Sequence, residues 1–114
     1  MAIKPLMWTY DGNNRYTGLG MGYSNYIDTR VLATGSTAER HTVPSGAKKV
    51  FFSATGNFYA KFGGNSVTAA VPAADVTDGS GSELNPTLRT IDDAGYISLV
   101  APTDGTIVTM AFYS

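Results

Sequence analysis

Asp75, Asp78 and Glu83 fall within one stretch, VPAADVTDGSGSELNPTLR (71–89). Carboxylates crowded into a Gly/Ser-rich loop are the raw material of a calcium site, so that chemistry is tested first. A calcium loop of the EF-hand kind needs oxygen ligands at positions 1, 3, 5 and 12 with Gly at 6. Counted from Asp75, position 3 is Thr77, position 5 is Gly79 and position 6 is Ser80, and the pattern fails. Asp-Gly and Ser-Gly are the ordinary vocabulary of turns. Pro72 with Ala73-Ala74-Asp75 suits a single helical turn ending at Gly79, and Asn85-Pro86 suits an Asn cap with Pro in the first helical position. In that reading the carboxylates orient backbone, and neither a metal nor another cofactor is expected.

Catalytic constellations fare no better. His41 is the only histidine, so a histidine-built metal site is impossible, and a surface or edge role is expected for it. There are no cysteines, which removes thiolate zinc and disulfides. GSGSE (79–83) holds Ser80 between glycines but lacks the strand-to-helix context of a nucleophile elbow. Asp92-Asp93 are adjacent and diverge, so they do not form the facing carboxylate pair of a glycosidase. GLGMG (18–22) has its third glycine misplaced for a phosphate fingerprint. No enzyme is expected.

The totals narrow the partners. With 8 basic and 9 acidic residues the net charge is -1, which does not suit nucleic acid. No stretch approaches the ~18 apolar residues that span a bilayer, and MAIKPLMWTYDGNNRY lacks the apolar segment of a secretory signal. The 114 residues fit one core.

The elements around these residues read as all-β. Residues 1–28 form an aromatic arm, extended and turning at Asp11-Gly12 and through Gly18, Gly20 and Gly22, without a sustained period. Trp8, Tyr10, Tyr16, Tyr23 and Tyr26 offer large, stiff contact area with polar tips. They suit cover of their own core, docking on another chain, or sugar stacking. Residues 29–114 form the domain, with strands expected at 29–34, 39–43, 48–54, 58–62, 66–71, 96–101 and 106–113 and a weak one near 87–91. Seven or eight short strands point to a single antiparallel β-sandwich of jelly-roll-like type. One long loop, about 72–95, is expected to pack through Val76, Leu84, Leu88 and Ile91. Phe51 and Phe52 must face opposite ways, and Ile107 and Tyr113 lie opposite Val108, Met110 and Phe112. Strands apolar on both faces are central or covered by a partner, so Phe51, Ile107 and Tyr113 join the arm aromatics as interface candidates.

The segment VPSGAKKVFFSATGNFYAKFGGNSVTAAVPAADVTDGSGSELNPTLR resembles small virion structural proteins of tailed bacteriophages, over roughly residues 43 to 91. The resemblance implies a place on the capsid surface after assembly in the host cytoplasm. It also implies a decoration or cement role on the major capsid protein, and a homo-oligomer with a trimer favoured. A tail, neck or fibre component is the alternative within structural proteins, and a carbohydrate-binding module of a receptor-binding head is the rival from another class.

Overall fold

Runs of β-branched and aromatic residues closed by Gly, Pro, Asn or Asp become strands, because such side chains fit a pleated, half-buried surface and those turn residues end it. The computed structural model describes residues 3–6, 8–10 and 16–114, with 8–10 and 16–21 described by backbone alone. In chain order the strands are β1 (Trp8–Tyr10), β2 (Tyr16–Met21), β3 (Tyr26–Leu32), β4 (Glu39–Thr42) and β5 (Lys49–Ala54). They continue with β6 (Tyr59–Gly63), β7 (Glu83–Leu84), β8 (Leu88–Thr90), β9 (Tyr96–Val100) and β10 (Thr106–Tyr113). No helix occurs among the described residues, so the single turn expected at 72–79 is absent.

Two four-stranded sheets carry the body, ordered β3-β10-β5-β8 and β4-β9-β6-β7, with every pairing antiparallel. The chain crosses between sheets at nearly every connection and returns its last strand beside β3, the winding of an eight-stranded jelly roll. β1 and β2 pair only with each other, as a ribbon outside both sheets. The arm expected over 1–28 therefore contains two strands, and its far boundary falls inside β3.

The core lies where the inward faces meet. Leu32, Val50, Leu99, Val108 and Met110 have no exposed surface, and Phe52 and Phe112 have almost none. Phe52 meets Phe58 with the rings tilted, at 5.7 Å between centroids, and meets Phe62 edge-on at 6.1 Å. Tyr26 meets Phe112 edge-on at 6.0 Å. These are favoured aromatic geometries. Ile3, from the arm, is buried in the same core.

Residues 66–71 alternate like a strand yet form none. Their backbone groups find side chains instead: Arg40 Nε donates to the Val67 carbonyl at 2.7 Å. The Ala69 amide donates to Ser98 Oγ at 2.8 Å. Asn85 is not a helix cap. It holds a left-handed φ of 50°, which Asn tolerates, and its Oδ1 accepts from the Phe58 amide at 3.0 Å while the Asn85 amide donates to the Phe58 carbonyl at 2.9 Å. The expected anchors of the long loop divide. Ile91 is buried and Leu88 half-buried, but Val76 and Leu84 are 49% and 52% exposed, and residues 72–81 lie on the surface.

A turn at the opposite end of β3 from the arm is close-packed. A Cβ on Gly35 would lie 2.8 Å from the Pro102 carbonyl oxygen and 2.9 Å from Asp104 Oδ1, and the Gly35 amide donates to that carboxylate. Phe52→Ala is expected to lower the unfolding free energy by about 3–5 kcal/mol through the cavity it leaves. Val76→Ala, on the exposed loop, should stay within about 0.5 kcal/mol. Denaturant unfolding of the two variants checks the contrast.

Candidate protein interface

The ribbon is rooted firmly even though it lies outside the sheets. Ser24 is buried, and its hydroxyl donates to the Phe112 carbonyl at 2.7 Å. Tyr113 Oη donates to the Gly22 carbonyl at 2.9 Å. The Ser114 amide donates to the Lys4 carbonyl at 3.0 Å, and the Lys4 amide to Asn25 Oδ1 at 3.0 Å. Both legs of the ribbon are thus tied to the end of β10. The sequence candidates separate accordingly. Trp8 and Tyr10 lie in β1 and Tyr16 in β2. Tyr23 is 78% exposed, with Lys4 Nζ 3.3 Å from its ring centroid. Tyr26 packs on the core, and Tyr113 is 3% exposed. Both are used within the chain and leave little surface for a partner.

The two sheets treat their outer faces differently. On the second sheet, Ser98 and Val100 of β9 point away from the core yet are buried, and the 64–82 segment lies over Ser98, whose hydroxyl accepts from the Ala69 amide. Arg40 Nη2 donates to Thr68 Oγ1 at 3.2 Å, Lys61 Nζ to the Ser80 carbonyl at 2.8 Å, and the Ala70 amide to Ser82 Oγ at 3.2 Å. On the first sheet, among the described residues, such cover is confined to the arm end, where Tyr113 is sealed against Gly22. Val31 and Ile107, cross-strand partners on its outer face, are 55% and 37% exposed. One row along come Thr29, Thr109 and Ser53 in register. The next row holds Ile27, 56% exposed, beside Ala111, Phe51 and Leu88. These rows are uncharged; Lys49, paired with Tyr113, stands at the rim. An open antiparallel face ordinarily alternates to polar and charged residues, and an apolar patch of this kind marks a contact site.

Ionisable side chains gather elsewhere. Asp78 Oδ1 accepts from the Ser80 amide at 3.0 Å and the Ser80 hydroxyl at 2.6 Å. Those bonds hold its carboxyl below the ordinary value, and the geometry is that of an Asx turn. Glu83 reaches Arg89 at 2.7 Å. Among the described residues, no three His, Asp or Glu side chains converge where a metal ion could sit.

A polar seam closes the side of the sandwich between the edge strands β3 and β4. Alternation turns Asp28 and Arg30 inward from β3, and Glu39 and His41 inward from β4. His41 keeps the expected edge-strand position but is buried, not on the surface. Its Nε2 lies 3.8 Å from Glu39 Oε1, and Arg30 Nη2 lies 3.9 Å from Asp28 Oδ2. Burial first, then the Arg30 guanidinium, lower the His41 pKa, with Glu39 and Asp28 acting the other way. The sequence places Glu39, Arg40 and His41 side by side but does not say which of them face inward. No nucleophile stands among these four residues.

No family model, curated protein or solved structure matches the chain.

Because His41 is harder to protonate in the fold, the unfolded chain binds more protons once pH falls through about 6.5. The His41 contribution is therefore fully present above that pH and is lost as pH drops, at no more than about 1.4 kcal/mol per pH unit. Unfolding free energies measured between pH 8 and pH 5 should decline over the lower half of that range, and His41→Gln should flatten the decline. An identical slope in the variant would assign the decline to other groups.

Proposed function

We propose that the chain is a structural protein of a tailed-bacteriophage particle, a head decoration or cement protein that binds and stabilises the shell of major capsid protein. The observation that carries the reading is the β1–β2 ribbon, outside both sheets and tied at its base to the end of β10. An isolated two-stranded ribbon is marginal in water. A neighbouring chain that packs on it, or adds a strand to its edge, supplies the missing partner surface. The aromatic composition of the ribbon, with Trp8, Tyr10 and Tyr16, suits such an anchor.

A cement protein has to span joints between shell subunits that are pushed apart from within. A jelly roll gives a stiff body, Tyr26 to Tyr113, and a rooted ribbon gives reach. Two attachment surfaces on one molecule make the second binding event intramolecular, and occupancy rises without any new kind of contact. The resemblance of residues 43–91 to small virion proteins supports the same reading. Binding, not catalysis, is the role proposed, with the virion surface as its place.

Ile3, Ser24 and Tyr26 belong to the core or the root, so the clean test spares them. Residues 7–21 are replaced by a short Gly-Ser link between Leu6 and Gly22. The variant should melt within a few degrees of the parent and lose its binding to purified expanded heads. Undiminished occupancy on heads would overturn the role of the ribbon. Cross-linking mass spectrometry of intact particles identifies the neighbour. A tail, neck or fibre neighbour would move the station, and ribbon-dependent binding on a glycan array would favour the sugar-binding class.

A further inference from the structure

The two sheets of the body have four edge strands, and an edge presents unpaired amides and carbonyls on which another chain can pair. β7 and β8 are edges of two and three residues, too short to serve as a template. β3 and β4, on the other side of the sandwich, run to seven and four residues. We propose that the polar seam between them is a guard: the inward charges of Asp28 and Arg30, with Glu39 across the seam, keep the β3 edge from pairing with a strand of another copy. The proposal stands apart from any reading of the shell, since it concerns only what the free edge refuses.

The first observation is an inverted strand. A strand with one face on a core ordinarily turns apolar residues inward and polar or charged ones outward. β3 turns Ile27 and Val31 outward, where they are exposed, and Asp28 and Arg30 inward. Its neighbour β10 keeps the usual order, with Val108, Met110 and Phe112 buried. Without its two charges YIDTRVL is a β-branched and apolar segment on a free edge, the kind that pairs with its own copies.

The second is how the charges are solvated. His41 Nε2 lies 3.8 Å from Glu39 Oε1, and Arg30 Nη2 lies 3.9 Å from Asp28 Oδ2. Both separations are longer than a hydrogen bond. Arg30 Nε and His41 Nε2 are buried and have no partner within the chain. Yet the side chains of Asp28, Arg30 and Glu39 stay 27%, 42% and 39% exposed, so solvent serves their charges through the open side of the sandwich. A strand added to β3 stands ~4.8 Å outside it, over that opening. Its inward side chains then shut the seam and cut off charges that the new ladder does not pair, which is costly. Inward charges protect an edge through this cost. At the arm end the Tyr26 amide is already taken by Ser24 Oγ, at 3.0 Å.

Asp28→Val/Arg30→Val separates a guard from a stabilising ion pair. The double variant is expected to melt within a few degrees of the parent or above it. Well below that temperature it should self-associate at least about tenfold more tightly in sedimentation velocity. Hydrogen exchange should slow within Tyr26–Leu32 of the associated species. Asp28→Val/Arg30→Lys, which keeps one inward charge, should sediment as the parent does. So should Thr29→Val, which adds an apolar side chain to the outward row of the same strand. A double variant that melts well below the parent would make the seam a stabilising element and overturn the proposal. A stable double variant with the mass distribution of the parent, equal association in Asp28→Val/Arg30→Lys, or slowed exchange confined to segments outside β3 would overturn it as well.

Discussion

The architecture hangs on the antiparallel pairing of the last strand with the first strand of the body. β10 lies against β3 from Thr106–Leu32 to Phe112–Tyr26, and against β5 on its other edge. Its inward side chains Val108, Met110 and Phe112 are as buried as any in the molecule. Removing β10 leaves β3 with no strand neighbour in its sheet and strips β5 of one. It also unties the arm, because Ser24, Gly22 and Lys4 all fasten to its terminal residues. Contacts that join the two ends of a chain carry the largest loop-closure entropy, and folds dominated by them form slowly. The jelly roll closes once that pairing is made, and the second sheet then has a surface to pack on.

The sequence reads well where alternation and turn chemistry agree. KKVFFSA between Pro44-Ser45-Gly46 and Thr55-Gly56-Asn57 is such a case, and so is TIVTMAFY after PTDG; both became strands within a residue of expectation. Alternation misleads at SVTAAV, because period 2 reports which side chains differ in exposure and not what the backbone bonds to. There the partners are the side chains of Arg40 and Ser98, far along the chain in both directions. The reverse error occurs at YTGLGM, where glycines argue for turns and β1 nevertheless pairs with the segment as a strand. Pairing decides, and pairing is invisible in one sequence.

The contact surfaces were legible in part for the same reason. Ile107 and Phe51 follow from parity along single strands, since each lies opposite a core residue. Ile27 and Val31 needed register, which sets them beside Ala111 and Ile107 and makes scattered apolar residues into rows. Tyr113 follows the parity of Ile107 yet is sealed by Gly22, a contact that no period could announce. The polar seam is likewise a product of two edge strands facing each other. Nothing in TRVL or ERHT taken alone places Arg30 beside His41.

The root of the ribbon has a mechanical consequence. A load taken up by β1 and β2 reaches the body where β3 begins and β10 ends, which are the same end of an antiparallel pair. Tension in that geometry peels hydrogen bonds one after another, whereas shear along the strands would strain them together. Ser24, Tyr113 and the buried side chain of Ile3 stand between the load and the first rung of that ladder. They act as a strain relief, sharing the force among one hydrophobic plug and two hydrogen bonds before the zipper can open. The toughness of the attachment is therefore set by a handful of atoms at the base of the ribbon, and not by the depth of the core behind them.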